Sequence, residues 1–373
     1  MIKAIAWINT NYNVPGLTML TRQRPAAAVI FGGRYRLMDF ALSNMVNAGI
    51  RTVCLTTHYY SRSISDHLAA GGDWDLYRKE GGLFVLPGST YGYQDQNNRF
   101  TLKDFLRNKE FLLRDTAKYV IVSTASYVAN LDYQDVLRRH EEKGADITLL
   151  TKAYWEKPLE TQNAYWVRQG ADQRVVELRH DKEGLIQNPY SLFMDNFIIN
   201  REVLLRMMER YQTMEHMDLR TVIAENLHLL KVYPYLFQGY LGRIESMESY
   251  FRHNMDLLNP VINREIFQPD SPIHTKSKEN PPAYYGEESQ VKYSLITSGC
   301  RIYGQVEHSL LSRQVVVAPG AKVRNCIIMN RCIIGEDAVL DYVVADKSVT
   351  IRPCAQLVGR STAPLVLGKN AEL

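Results

Sequence analysis

Val317, Ile334 and Ile351 stand 17 residues apart, and so do Ala321, Ala338 and Ala355, and again Val323, Leu340 and Leu357. Three side-chain series locked to one period mean three copies of one structural unit. Within each copy a branched aliphatic residue is followed six positions later by another, from Val317 to Val323, Ile334 to Leu340 and Ile351 to Leu357. This hexad spacing predicts a parallel β-helix. Each flat face is a short strand, its inward side chain stacks on its equivalent one coil away at roughly 4.8 Å, and three faces close a coil. One coil cannot bury its own apolar ladder, so the copies must stack. A β-sandwich with turns at coincidental spacing would not hold three series in one register. Residues 294–306 read as an earlier, irregular coil, which starts the solenoid near residue 290.

A solenoid of that length leaves most of the 373 residues to another domain, more than one hydrophobic core usually serves. Strands are expected at 3–8, 51–57, 118–124 and 146–151, and helices at 39–48, 61–70 and 133–143, with Asp39 capping the first helix and Gly49 ending it. This alternation predicts an α/β, doubly wound, mainly parallel sheet, with ligands beyond the carboxyl ends of its strands. Further strands are expected at 191–199 and 232–239, and helices at 202–210, 221–230 and 247–257. The stretch from Asn259 to Lys292, rich in Pro, Asn, Ser and charge, reads as a linker. The expected domains are therefore 1–260, a linker 261–292 and a solenoid 293–373.

A net charge of +4, with no run of Lys or Arg, argues against nucleic acid. No apolar stretch reaches the ~18 residues of a membrane span, and MIKAIAWINT lacks the features of a secretory signal. A cytoplasmic location is the expectation. The five cysteines, Cys54, Cys300, Cys326, Cys332 and Cys354, show no C-x-x-C spacing. Four of them fall in the solenoid, where packing in a stacked interior is their expected role.

The segment RPAAAVIFGGRYRLMDFALSNMVNAGI, Arg24 to Ile50, closely resembles the ADP-glucose pyrophosphorylases (glucose-1-phosphate adenylyltransferases) of glycogen synthesis. GGDWDLYRKEGGLFVLPG (Gly71 to Gly88) and MESYFRHNMDLLNP (Met247 to Pro260) resemble further segments of the same family. The resemblance implies a nucleotidyltransferase domain followed by a left-handed β-helix, and it spans essentially the whole chain.

Departures fall where that family does its chemistry. Its glycine-rich phosphate loop corresponds to Asn11-Tyr12-Asn13-Val14-Pro15-Gly16-Leu17, with Gly16 at the position of an arginine. Val14 and Pro15 do not freely adopt positive φ and Pro15 has no N–H, so this loop is a poor cradle for phosphate. Ala26 stands in place of a lysine. Of the two aspartates that bind Mg²⁺ in active members, one is replaced by Ser126 and the other by Arg243. A hydroxyl is a weak ligand for a hard cation. A guanidinium about 4 Å from a divalent ion would cost on the order of 8 kcal/mol at an effective dielectric of 20. Four groups lost together point to a catalytically degenerate subunit without a catalytic residue or metal of its own. The resemblance is to the non-catalytic partners of GlgD type, which implies a catalytic ADP-glucose pyrophosphorylase subunit as partner in a heterotetramer.

Arg34 and Arg36 are the candidates for binding an anionic effector, a sugar phosphate or a nucleotide, and a surface ion pair is the plainer reading. If the chain is an active nucleotidyltransferase with relocated ligands, Asp132, Asp218 and Glu245 are the carboxylates available to it. A stand-alone nucleotide-sugar sensor is another alternative. An acyltransferase would rest on His308, the solenoid's single histidine, which is expected to be solvated. The family's GTADA stretch falls on Phe100 to Asp104, and the EKP at Glu156 to Pro158 is read as a chance match in a loop.

Overall fold

The structure, a computed structural model, describes residues 3–57, 61–90, 99–154, 164–181 and 190–373. Packing divides the chain into two compact units. One comprises residues 1–13, 38–241 and 269–274, the other residues 14–37, 242–268 and 275–373.

The first unit is built on nine strands: β1 (Ala4–Asn9), β2 (Thr52–Thr57), β3 (Gly82–Pro87), β4 (Tyr119–Thr124), β5 (Ile147–Lys152), β6 (Ala164–Gln169), β7 (Val175–Asp181), β8 (Ser191–Asn200) and β9 (Val232–Leu236). Their order is β7-β6-β8-β4-β1-β2-β3, with β5 also pairing with β8 and β9 pairing with β5. β4, β1, β2 and β3 run parallel. β8 is antiparallel to β4, β5 and β6, so the sheet is mixed. The alternation of strands and helices marked the parallel half, but the ten-residue β8 carries no signal of its direction. Every residue of β1 and β4 is buried, as expected of central strands covered on both faces. Trp7 of β1 stacks on Phe105 with ring centroids 4.4 Å apart, at one end of a core that continues through Val122, Phe197 and Ile199.

The first long helix spans Leu37–Asn47, so Asp39 lies inside its first turn rather than at its cap. The buried Asp39 carboxylate meets the His67 ring at 2.7 Å instead. Gly49 ends the helix at φ +77° as expected.

In the second unit three five-stranded parallel sheets form the left-handed β-helix. Val317, Ile334 and Ile351 are in register, as are Val323, Leu340 and Leu357. The solenoid begins earlier than the sequence indicates, with Tyr284–Tyr285 pairing to Arg301–Ile302. The stretch read as a linker also holds a helix, Pro260–Ile266. Corners turn through left-handed residues in three ladders: Gln314, Arg331 and Ser348; His308, Asn325 and Tyr342; Gly320, Asp337 and Cys354. Only one of these nine is glycine, and polar side chains bridge adjacent coils where the backbone is strained. The His308 ring meets Asn325 Oδ1 at 2.8 Å, and Asn325 Nδ2 donates to Asp341 Oδ1 at 2.8 Å. His308 is exposed, as expected. Cys54, Cys300, Cys326 and Cys332 are buried, but Cys354 sits on an exposed corner rather than in the stacked interior. Among the described residues no helix is long and apolar enough to cross a membrane.

Candidate functional site

At the end of β1 the chain bends through a loop in which several backbone donors, at both of its ends, are already used. Thr10 N–H donates to the Thr56 carbonyl at 3.0 Å, and Asn11 N–H to Asn9 Oδ1 at 2.9 Å. Leu17 N–H donates to the Val14 carbonyl at 2.9 Å, and Thr18 N–H to that of Pro15 at 3.2 Å. A phosphate cradle needs such groups free and convergent.

Side chains occupy the space as well. Asn11 is 1% exposed. Its Nδ2 donates to the Ser89 carbonyl at 2.8 Å and to Asp104 Oδ2 at 3.0 Å, while Ser89 N–H donates to Asp104 Oδ1 at 2.6 Å. Burial pushes the Asp104 carboxyl up, against the lowering effect of these hydrogen bonds. Beside them the Arg99 guanidinium lies 4.5 Å from the Tyr12 ring centroid, and Asn9 Nδ2 donates to the Arg99 carbonyl. Asp104 thus acts as the anchor of the loop.

The replaced positions are self-contained too. Ser126 is buried, its hydroxyl 3.3 Å from that of Thr124. Gly16 forms a parallel bridge with Ser246. A Cβ at Gly16 would come within 2.7 Å of Ser246 Cα, so no side chain fits where the resemblance places an arginine. Ala26 is buried in a short 3₁₀ turn. Arg243 is 5% exposed and pairs with Glu245 at 3.6 Å.

The three fallback carboxylates are likewise engaged. Glu245 faces Arg243. Asp132 caps the helix Tyr133–Glu142, accepting from the N–H groups of Gln134 and Asp135 at 2.9 and 3.2 Å. Asp218 accepts from the N–H of Arg99 at 2.7 Å, from that of Phe100 at 3.1 Å and from Arg220. Arg220 also reaches Asp195 at 2.8 Å, closing a buried ion triad. Ser126 belongs to the first unit, and Gly16, Ala26 and Arg243 to the second. A hydroxyl bonded to its neighbour and a guanidinium bonded to a carboxylate do not fit Mg²⁺. Residues 156–158 lie outside the described residues.

The effector candidates separate. Arg34 is exposed and lies over the Tyr35 ring at 4.9 Å. Arg36, half-buried, belongs with a group of cations within the second unit. Burial, with Arg24, Arg36 and Lys278 nearby, brings Lys347 down to about 7. Lys278 is lowered by burial and by Arg313, Arg36, Lys276 and Arg331. Asp346, the acid next to Lys347 in the chain, is already bound to the buried Arg24 at 2.7 Å. Cations gathered this closely make this corner the candidate anion site. Lys347, Lys278, Arg313 and Arg331 were missed in the sequence. Their signal is the solenoid corner itself: residues 313 and 347 are two 17-residue periods apart, and 331 adjoins the position between them.

A mixed sheet whose first strand enters this loop, joined to a hexapeptide solenoid, defines a sugar-nucleotide transferase architecture. A family model for nucleotidyl transferases matches residues 17–238, and one for the GlmU-like C-terminal hexapeptide region matches residues 281–362. The chain belongs to the nucleotidyl transferase family and, within it, to the ADP-glucose pyrophosphorylases. It is similar to the glycogen biosynthesis protein GlgD of Bacillus subtilis, 35% identical over 351 residues covering 94% of this chain and 91% of that protein. The GlgD of Geobacillus stearothermophilus is 35% identical over 86% of this chain and 83% of its own length. Glucose-1-phosphate adenylyltransferase of Fervidobacterium nodosum is 31% identical over 92% of this chain and 83% of its own.

Proposed function

We propose that this chain is a catalytically silent subunit of a cytoplasmic glucose-1-phosphate adenylyltransferase in glycogen biosynthesis. The enzyme makes ADP-glucose and diphosphate from ATP and glucose 1-phosphate, and this chain modulates an active partner subunit in a hetero-oligomer. The observation that carries the reading is the commitment of Glu245, Asp132 and Asp218 to partners inside their own unit. Nucleotidyl transfer needs metal and cationic groups facing the phosphates, because the protein has little covalent work to contribute. Here Glu245 and Asp218 are spent on arginines and Asp132 on a helix terminus.

Modulation needs only interfaces and an effector site whose occupancy differs between two states of the assembly. The cations around Arg36 and Lys347 supply such a site for a phosphate-bearing effector. The test is co-expression with a catalytic subunit from the same genome, assaying each chain alone and the mixture. Background synthesis by this chain alone, with altered kinetics or effector response in the mixture, supports the reading; robust synthesis by the isolated chain removes it.

A further inference from the structure

We propose that the edge strand β3 is a self-pairing surface, through which a second copy of this chain extends the sheet about a twofold axis. Gly82 N–H donates to the Arg51 carbonyl and Gly88 N–H to that of Thr57, both toward β2. Since alternate residues of a strand point their backbone groups to opposite sides, the N–H and C=O groups of Leu83 and Val85 face away from β2. Among the described residues β3 pairs with β2 alone.

The strand carries none of the usual protections. Its sequence, GLFVLP, has no charge and no bulge, and its proline comes last. Phe84 is 41% exposed and Val85 40%, on opposite faces. An uncharged, apolar edge is a template for another strand. Backbone donors and acceptors in a row select a polypeptide over a small molecule or lipid.

The pattern is also self-complementary. A twofold axis at Phe84 pairs Leu83 of each copy with Val85 of the other, and both residues then exchange N–H···O=C bonds, four in all. The two Phe84 residues form the close, non-hydrogen-bonded pair between them. Behind Phe84 lies a cavity of about 320 Å³ floored by Leu86 and Phe111. Phe84 meets Phe111 edge-on at 5.5 Å. The rim is the helix Lys109–Arg114, with Glu110 and Arg114 3.9 Å apart and Leu113 49% exposed. The same axis runs two such helices antiparallel and sets Glu110 of one copy against Arg114 of the other, so the rim charges complement one another as an isologous contact requires.

The experiment uses the purified full chain, without substrate or catalytic partner, so its outcome is separate from the silent-subunit reading. Light scattering should give a mass that halves in the Val85→Pro variant. That change removes an outward N–H and leaves pairing with β2 intact, as edge strands tolerate. In a Cys354→Ser background, Phe84→Cys should form an intermolecular disulfide under mild oxidation. Val85→Cys, with its partner one step off the axis and on the other face, should not. A monomeric wild-type chain, an unchanged mass in Val85→Pro, or equal cross-linking of the two cysteine variants overturns the proposal.

Discussion

The side-chain amide of Asn11 donates to the buried Asp104 carboxylate at 3.0 Å, closing over the place where a phosphate loop would open. Asn11→Ala strips a buried carboxylate of a donor. It is expected to cost about 1–3 kcal/mol, read by urea unfolding of the full chain. A change within experimental error would mean that the loop does not rest on Asp104.

Lys347, held at about 7, titrates well below an ordinary lysine at about 10.4. Its folded pKa is the lower one, so between these values the unfolded chain binds more protons. Stability should therefore rise as pH goes from 7 toward 10. Lys347→Met should flatten this slope and raise the melting temperature at pH 6. Inorganic phosphate, a probe of the anion site, should stabilise the wild type more at pH 6.5 than at pH 9. Thermal unfolding across that pH range checks all three.

Arg24 and Asp346 form a buried pair at 2.7 Å, both side chains nearly inaccessible. Removing either alone, as in Arg24→Met or Asp346→Leu, should cost about 3–5 kcal/mol by leaving a buried charge uncompensated. The double variant should cost less than either. A double-mutant cycle with additive losses would contradict the pairing.

Placing carboxylates at the two positions where the resemblance puts metal ligands, Ser126→Asp with Arg243→Asp, is expected to leave ADP-glucose synthesis at background. The N–H groups of Thr10, Asn11 and Leu17 are occupied, and no side chain fits at Gly16. Radiolabelled product formation measures this, and turnover by the double variant would show that charge alone silenced the chain.

Corner residues of the solenoid offer an opposed pair of substitutions. Cys354 is exposed at φ +59°, where glycine escapes the roughly 1–2 kcal/mol cost of a left-handed Cβ. Cys354→Gly should raise the melting temperature slightly. Gly320→Ala should lower it, because at φ +72° the new Cβ would lie 2.0 Å from Asp337 Oδ1.

The solenoid was legible because stacking is local and periodic. Val317, Ile334 and Ile351 must be alike since each covers the next, and their 17-residue spacing is the length of a coil. The parallel strands β1, β2 and β4 were legible for a similar reason, being buried on both faces and cleanly bounded. β3 and β7 were not, since half-exposed strands lack a pattern distinct from loop, and β6 was missed as well. The departures at Gly16, Ala26, Ser126 and Arg243 are a reading of the sequence against the family it resembles, and the silent-subunit proposal rests on them.

The sequence by itself determined the periodic β-helix and the central parallel strands, because each depends on residue type at fixed spacing along the chain. Only the tertiary structure decided what the remaining charges do. It set Asp195 against Arg220, Asn11 against Asp104 and Arg24 against Asp346. It also gathered Arg36, Lys278 and Lys347 around one corner of the solenoid. Charge pairing acts through space over a few ångströms, between residues that can stand hundreds of positions apart, and no local pattern records it.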